Sequence, residues 1–175
     1  MKALLGFVFL LVGIFLFASL YRVLALSRSP VLPNSILQNN SSNQKLFPIN
    51  IEILSQNLYL PVNNVSVTNG NWEDTKNSVG YVLESPIPGT EGNSIFYAHN
   101  RPNLFGKLKY LKKTDKVSVI FSNGTAKDFY VTRVFEVTKD QTHILTKTDN
   151  PTITLYTCSG FLDSKRLIVI AEPVL

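Results

Sequence analysis

An all-β fold, either a closed barrel or a sandwich, is predicted for residues 47–175 of this 175-residue chain. Apolar residues recur at every second position in short runs, the period of a strand whose two faces meet different surroundings. Clusters of Gly, Pro and Asn punctuate these runs, as turns do in an all-β domain. Against about eight strands, only one stretch has helical spacing. Neither an internal repeat nor a domain boundary interrupts residues 47–175.

Ile49, Ile51 and Ile53 alternate with polar residues in the first run, and residues 58–62 form the next. Residues 65–67 precede a turn at Asn69-Gly70-Asn71, after which comes Trp72, read as barrel core or edge packing. Residues 79–83 and 94–98 are strand-like and are separated by a loop at 86–93 that holds two prolines and two glycines. The helical stretch is 103–111: Leu104, Leu108 and Leu111 make an i, i+4, i+7 apolar face, and Asn103 is placed to cap it. Residues 117–121 and 128–137 flank the turn Ser122-Asn123-Gly124. Residues 152–158 and 166–173 complete the set.

The chain begins differently. Residues 3–20 carry no charge, and the next charge after Lys2 is Arg22. At about 1.5 Å per helical residue, this stretch nearly matches a hydrocarbon core of roughly 30 Å. A cleaved signal would have a shorter apolar region and a small-x-small site, and Val23-Leu24-Ala25-Leu26 offers no clean one. Residues 1–26 are therefore expected to be an uncleaved single-pass anchor, touching membrane lipid through residues 3–20. Arg22 and Arg28 oppose Lys2 and the amino terminus, so charge does not set the orientation. A cytoplasmic amino terminus with the remaining domain extracytoplasmic is expected because that domain carries the surface chemistry. Residues 27–46 hold Pro30, Pro33 and a polar Gln/Asn/Ser run, which reads as a flexible stalk before the domain at 47–175.

Net charge is +5, but the Lys and Arg residues are scattered; the densest cluster is Lys107, Lys109, Lys112 and Lys113. Nucleic-acid binding would need a basic stripe interleaved with aromatics, so it is not expected. Anionic lipid or wall polymer is the better match for a mild positive charge. Two distant His and one Cys give no zinc spacing. One cysteine also excludes an intramolecular disulfide, which leaves an unpaired thiol in a chain expected outside the cytoplasm.

That cysteine, Cys158, ends a strand on which Thr154, Tyr156 and Cys158 share one face and Ile153, Leu155 and Thr157 the other. A turn-like stretch at 159–165 leads to a second β-rich run starting at Arg166. An antiparallel pair would return Arg166 to the side of Cys158. A fixed positive charge beside a thiol favours the thiolate, which is the nucleophile. A buried, inert cysteine is the plain alternative, as a surface ion pair with Asp163 or Glu172 is for Arg166. His99 closes an apolar strand and opens a polar loop. His143, in the polar connection at 138–150, reads as structural or solvent-exposed.

Thr154-Leu155-x-Thr157-Cys158 followed by Arg166-Leu167-Ile168-Val169 resembles the active-site strand pair of the sortases, membrane-anchored cysteine transpeptidases of bacterial cell surfaces. Asn71-Trp72, then Gly89-x-x-Gly92-Asn93-Ser94-Ile95-x-x-Ala98-His99, then Asn103-Leu104-Phe105-x-x-Leu108 resembles that family's region around its catalytic His. The resemblance implies a closed β-barrel with one or two short helices. It implies catalytic roles for His99, Cys158 and Arg166 and no cofactor. Peptide contacts are expected from Thr154, Tyr156 and Thr157, and the residue spacing suggests no bound metal.

The substrate it implies is an LPxTG-like sorting signal of secreted proteins, transferred through a thioacyl-enzyme to an amine of a wall precursor or of another protein. Ala98 stands where many relatives have Gly, and Tyr156 where smaller or aliphatic residues are common. Some relatives bind calcium through acidic loop residues. Glu84, Glu91 and Asp149 are too sparse to suggest it here. No Asp-Pro-aromatic lid sequence occurs in the stalk and no second apolar span follows the domain, so the pilin-polymerising subclass is not expected. Two other readings remain open: a membrane-tethered cysteine peptidase, and a non-catalytic barrel that binds or scaffolds.

Overall fold

The computed structural model describes residues 46–68, 71–141 and 145–174. The expected anchor, nearly all of the stalk, and His143 lie outside these residues. Among the described residues no helix is long and apolar enough to cross a membrane.

Eight strands close into a barrel: β1 (Pro48–Ile53), β2 (Leu58–Val65), β5 (Val79–Val82), β6 (Asn93–Tyr97), β9 (Thr152–Ser159), β10 (Lys165–Glu172), β8 (Ala126–Thr138) and β7 (Lys116–Phe121), in that spatial order, with β7 pairing back onto β1. β3 (Val67–Thr68) and β4 (Asn71–Trp72) form a separate two-stranded ribbon. Most neighbours are antiparallel, but β2–β5 and β6–β9 are parallel. The β6–β9 contact brings together segments more than fifty residues apart in sequence, and the candidate residues His99 and Cys158 follow at its end.

The expected alternation is seen in β2, where Leu58, Leu60 and Val62 are buried between exposed residues. In β9 and β10 burial is nearly continuous, because Ile168 and Ile170 are covered as well as Leu167 and Val169. The interior is filled by large apolar side chains such as Ile51, Phe96, Phe129, Leu155 and Val169, all without solvent exposure. Each such side chain contributes about 1.5–3 kcal/mol by leaving water.

The helical stretch is a 3-10 helix, Phe105–Tyr110, not the α-helix that the spacing implied. Asn103 does not cap it; the residue before the helix is Leu104, and no side chain caps the turn. The apolar face is nonetheless as read, with Leu104, Leu108 and Leu111 buried beside Phe105. Gly106 allows this packing, since a Cβ there would stand 2.7 Å from the Arg101 carbonyl oxygen.

Candidate active site

β9 and β10 pair antiparallel from Lys165 opposite Ser159 to Ala171 opposite Ile153, which puts Arg166 directly across from Cys158. On its other side β9 runs parallel to β6, with Asn93 beside Thr152 and Tyr97 beside Tyr156. Carried two residues further, the same offset sets His99 level with Cys158. The contact does continue beyond the ladder: the Ala98 N–H donates to the Tyr156 carbonyl at 3.3 Å, and the Thr157 hydroxyl donates to the Ala98 carbonyl at 2.7 Å. Cys158 therefore lies between the strand that leads to His99 and the strand that carries Arg166 near its start. All three line one groove of about 470 Å³, within the size range of small-molecule and peptide side-chain sites.

His99 is held at both ends. Its carbonyl accepts from the N–H groups of Arg101, at 2.9 Å, and Phe105, at 3.2 Å, which fixes the loop leaving the strand. Its ring Nε2 lies 2.8 Å from Asp74 Oδ1. That bond is the first reason the Asp74 carboxyl sits below its ordinary range; the charges of His99, Lys76 and Arg101 add to it, and desolvation opposes it. Both side chains are roughly half exposed, 45% for His99 and 59% for Asp74, so the pair is within reach of water and of a substrate.

Arg166 is half-buried and fixed by three acceptors. Its Nε donates to the Tyr156 hydroxyl at 2.9 Å, and its Nη1 to the carbonyls of Asp163 and Lys165, both at 2.7 Å. Its Nη2 has no partner among the described residues. No ion pair with Asp163 or Glu172 forms among the described residues. Instead, the β9–β10 loop turns so sharply that it aims a carbonyl at the guanidinium: Gly160, Leu162 and Asp163 all have positive φ, at 74°, 51° and 57°. Such backbone is costly for a leucine. Phe161 and Leu162, at 84% and 85% exposure, stand out from the loop into solvent.

Tyr156 lines the groove beside Cys158. Thr157 lines it too, but its hydroxyl is engaged by Ala98, so it offers wall and not a free donor. Thr154, read as a peptide contact from its strand face, is fully buried, with its hydroxyl donating to Asn93 Oδ1 at 2.8 Å. The Asn93 amide in turn donates to the Thr146 carbonyl at 3.3 Å, so Thr154 is tied through Asn93 to the connection that precedes β9.

Among the groove residues not assigned to the site from sequence, three contact the candidate residues or one another. Trp72, read as core or edge packing, stacks on Tyr156 with ring centroids 5.3 Å apart and planes 2° from parallel. Tyr97 meets the Trp72 ring edge-on at 4.6 Å, and burial pushes its phenol up to about 12, with Glu73 and Asp74 adding to the shift. Asp74 is the third. The only sequence signal for it was an acidic pair directly after the one tryptophan. Glu91 pairs with Lys147 at 3.5 Å, and no cluster of three His, Cys, Asp or Glu residues that could hold a metal occurs among the described residues.

Sequence comparison matches residues 50–174 to the family described as Sortase domain. The chain belongs to the sortase family. Sortase A of Bacillus anthracis is 31% identical over 140 residues, covering 78% of this chain and 64% of that protein, so this chain spans just under two thirds of the curated relative's length. The sortase barrel also matches sortase C from Clostridium perfringens SM101 at 25% identity, with a TM-score of 0.60 over 72% of this chain and 68% of that one. Sortase A from Corynebacterium diphtheriae matches in fold, at 23% identity and a TM-score of 0.63, over 74% and 61%. Structures of a sortase A and a sortase C fit this barrel about equally well, so the fold is common to both.

Proposed function

We propose that this chain is a membrane-anchored cysteine transpeptidase that cleaves an LPxTG-like sorting signal and joins it to an amine. The observation that carries this reading is the placement of Cys158 between the His99 and Arg166 strands at one groove. The Cys158 thiolate attacks the carbonyl carbon of a backbone amide, and the carbonyl oxygen takes up the negative charge. Arg166, held from behind by Tyr156 and two carbonyls, presents Nη2 to that oxygen or to the peptide; a donor already fixed in place needs no reorganisation as the charge develops. His99, as imidazolium, gives its proton to the departing amine as the C–N bond breaks, leaving a thioacyl on Cys158. The incoming amine loses a proton to His99, attacks the thioacyl carbon and expels the thiolate. Asp74 holds the imidazole ring through both steps. Residues 1–26 keep the barrel at the outer face of the membrane, where secreted substrates and wall-precursor amines meet.

The test is product analysis with an LPxTG peptide library, with and without an added amine. The reading expects an amine-linked product that depends on both peptide and amine. Hydrolysis alone at every amine concentration would favour the peptidase. No cleavage of any peptide, with a thiol inert to alkylation, would leave a binding barrel. Membrane fractionation of expressing cells, with protease added outside, tests the anchor: the barrel should pellet with membranes and be digested from the outside.

A further inference from the structure

The ribbon β3–β4 and the irregular residues 73–78 after it belong to no barrel ladder. Their attachment to the barrel near the groove is by side chains. Trp72 stacks on Tyr156 and receives the edge of Tyr97. The Tyr97 hydroxyl donates to the Glu73 carbonyl. Arg101 Nη1 donates to the Lys76 carbonyl at 3.2 Å, and Asn63 Nδ2 to the Ser78 hydroxyl at 2.9 Å. Gly80 is required for this docking: it lies opposite Tyr97 across β5–β6, and a Cβ there would stand 2.7 Å from the Tyr97 ring.

This short segment touches the partners of both groups that flank the thiol. Asp74 holds His99. Two residues earlier, Trp72 holds the Tyr156 ring whose hydroxyl accepts from Arg166 Nε. We propose that residues 72–74 are the positioning element of the site, Trp72 fixing Arg166 through Tyr156 and Asp74 fixing His99, so that docking this one segment sets both groups together. The chain of contacts runs Tyr97, Trp72, Tyr156, Arg166, crossing from β6 to β10 over the strand that carries Cys158. Trp72 and Asp74 act as positioning residues, Trp72 through Tyr156 and Asp74 through His99 Nε2, which leaves Nδ1 as the nitrogen that exchanges the proton. The inference rests on the cysteine transpeptidase reading for its kinetic part alone.

The test uses the full chain in detergent micelles. Its first arm does not depend on activity. The Arg166 Nε–H resonance, assigned by its disappearance in Arg166→Lys, should exchange slowly in the wild type and broaden in Tyr156→Phe and in Trp72→Ala. Trp72 is the sole tryptophan, so its emission should also shift when Tyr156→Ala removes the stacked ring. The second arm measures thioacyl formation from a cleavable peptide. Trp72→Ala should lower kcat about tenfold, less than loss of the arginine donor itself, with KM within twofold. Trp72→Phe should recover most of the rate. In an Arg166→Ala background the further effect of Trp72→Ala should shrink to the part carried by Asp74 and His99, because the branch through Tyr156 has lost its end. Should Trp72→Ala fail to fold, Tyr156→Phe keeps the ring stack and should still lower kcat. An unchanged Nε–H signal, an effect on KM alone, or full additivity with Arg166→Ala would overturn the proposal. Failure of every peptide to acylate the wild type would instead remove the transpeptidase reading, with the first arm still deciding the positioning.

Discussion

Cys158 and Arg166 meet because two strands pair continuously from Ser159 and Lys165 to Ile153 and Ala171, whereas Asp74 meets His99 from a segment with no barrel pairing of its own. In the first case every residue along the ladder enforces the register, and slipping by one would turn each side chain to the opposite face. In the second, a ring stack, one edge contact and a few hydrogen bonds hold the position; an aromatic pair of this kind contributes about 0.5–1.5 kcal/mol beyond its buried area. The positions of Cys158 and Arg166 are thus secured by the barrel's own pairing. The orientation of the histidine ring is a separate and weaker matter, open to change without unfolding the fold.

The sharpest way to separate the two regions is to remove chemistry from the ladder without disturbing it. Cys158→Ala should abolish acylation altogether, and Arg166→Ala should lower its rate by about 10²–10³, the usual cost of losing one oxyanion donor. Neither should change the melting temperature by more than a few degrees. Phe96→Ala does the reverse. It empties space in the barrel interior beside Tyr81 and should cost about 3–5 kcal/mol of stability, read by urea denaturation, with acylation per folded molecule nearly unchanged.

Next in size is Gly80→Ala. It pushes the Tyr97 ring against Trp72 and should lower acylation several-fold with a small loss of stability; an unaltered rate would show that the docked segment does not set the site. A pH titration probes the same wall more gently. Tyr97 keeps its proton in the folded barrel up to about 12, whereas the unfolded chain releases it near 10. Its contribution is therefore fully present below pH 10 and is lost as the pH rises from about 10 to 12, measured as a fall in the urea midpoint that Tyr97→Phe removes. The smallest effect lies at the acid end. Asp74 is held ionised below its ordinary range by His99, so its contribution is present above about pH 4 and fades only as the pH falls through the lower folded value. Asp74→Asn should flatten that acid limb slightly.

How much was legible in the sequence follows the same division. Alternation along residues 152–158 and 166–173, with a short turn between them, was enough to return Arg166 to Cys158. His99 came from the strand end and from the resemblance of its surroundings to the sortases. Asp74 could not be singled out, because its partner is 25 residues away and the segment between has no period that fixes direction. Trp72 was read as packing, which it is, yet the packing partner is the tyrosine that holds Arg166. Thr154 shows the opposite failure: the strand face was read, but its hydroxyl is taken by Asn93, 61 residues away on the neighbouring strand, which the local pattern does not reveal. The 3-10 geometry of Phe105–Tyr110 likewise escaped, since Leu108 and Leu111 stand three apart, a spacing that shares a face in either helix, and Leu104 lies before the helix begins.

The account turns on Cys158 carrying the acyl group between His99 and Arg166. The most direct measurement is to trap the full chain with an LPxTG peptide in the absence of amine, digest it, and map the adduct by mass spectrometry. The account predicts a thioester on the fragment that contains Cys158, accumulating in the wild type, forming about 10²–10³ times more slowly in Arg166→Ala, and released by added amine as the joined product. A peptide cleaved with no adduct on Cys158, or cleaved equally well by Cys158→Ala, would contradict it.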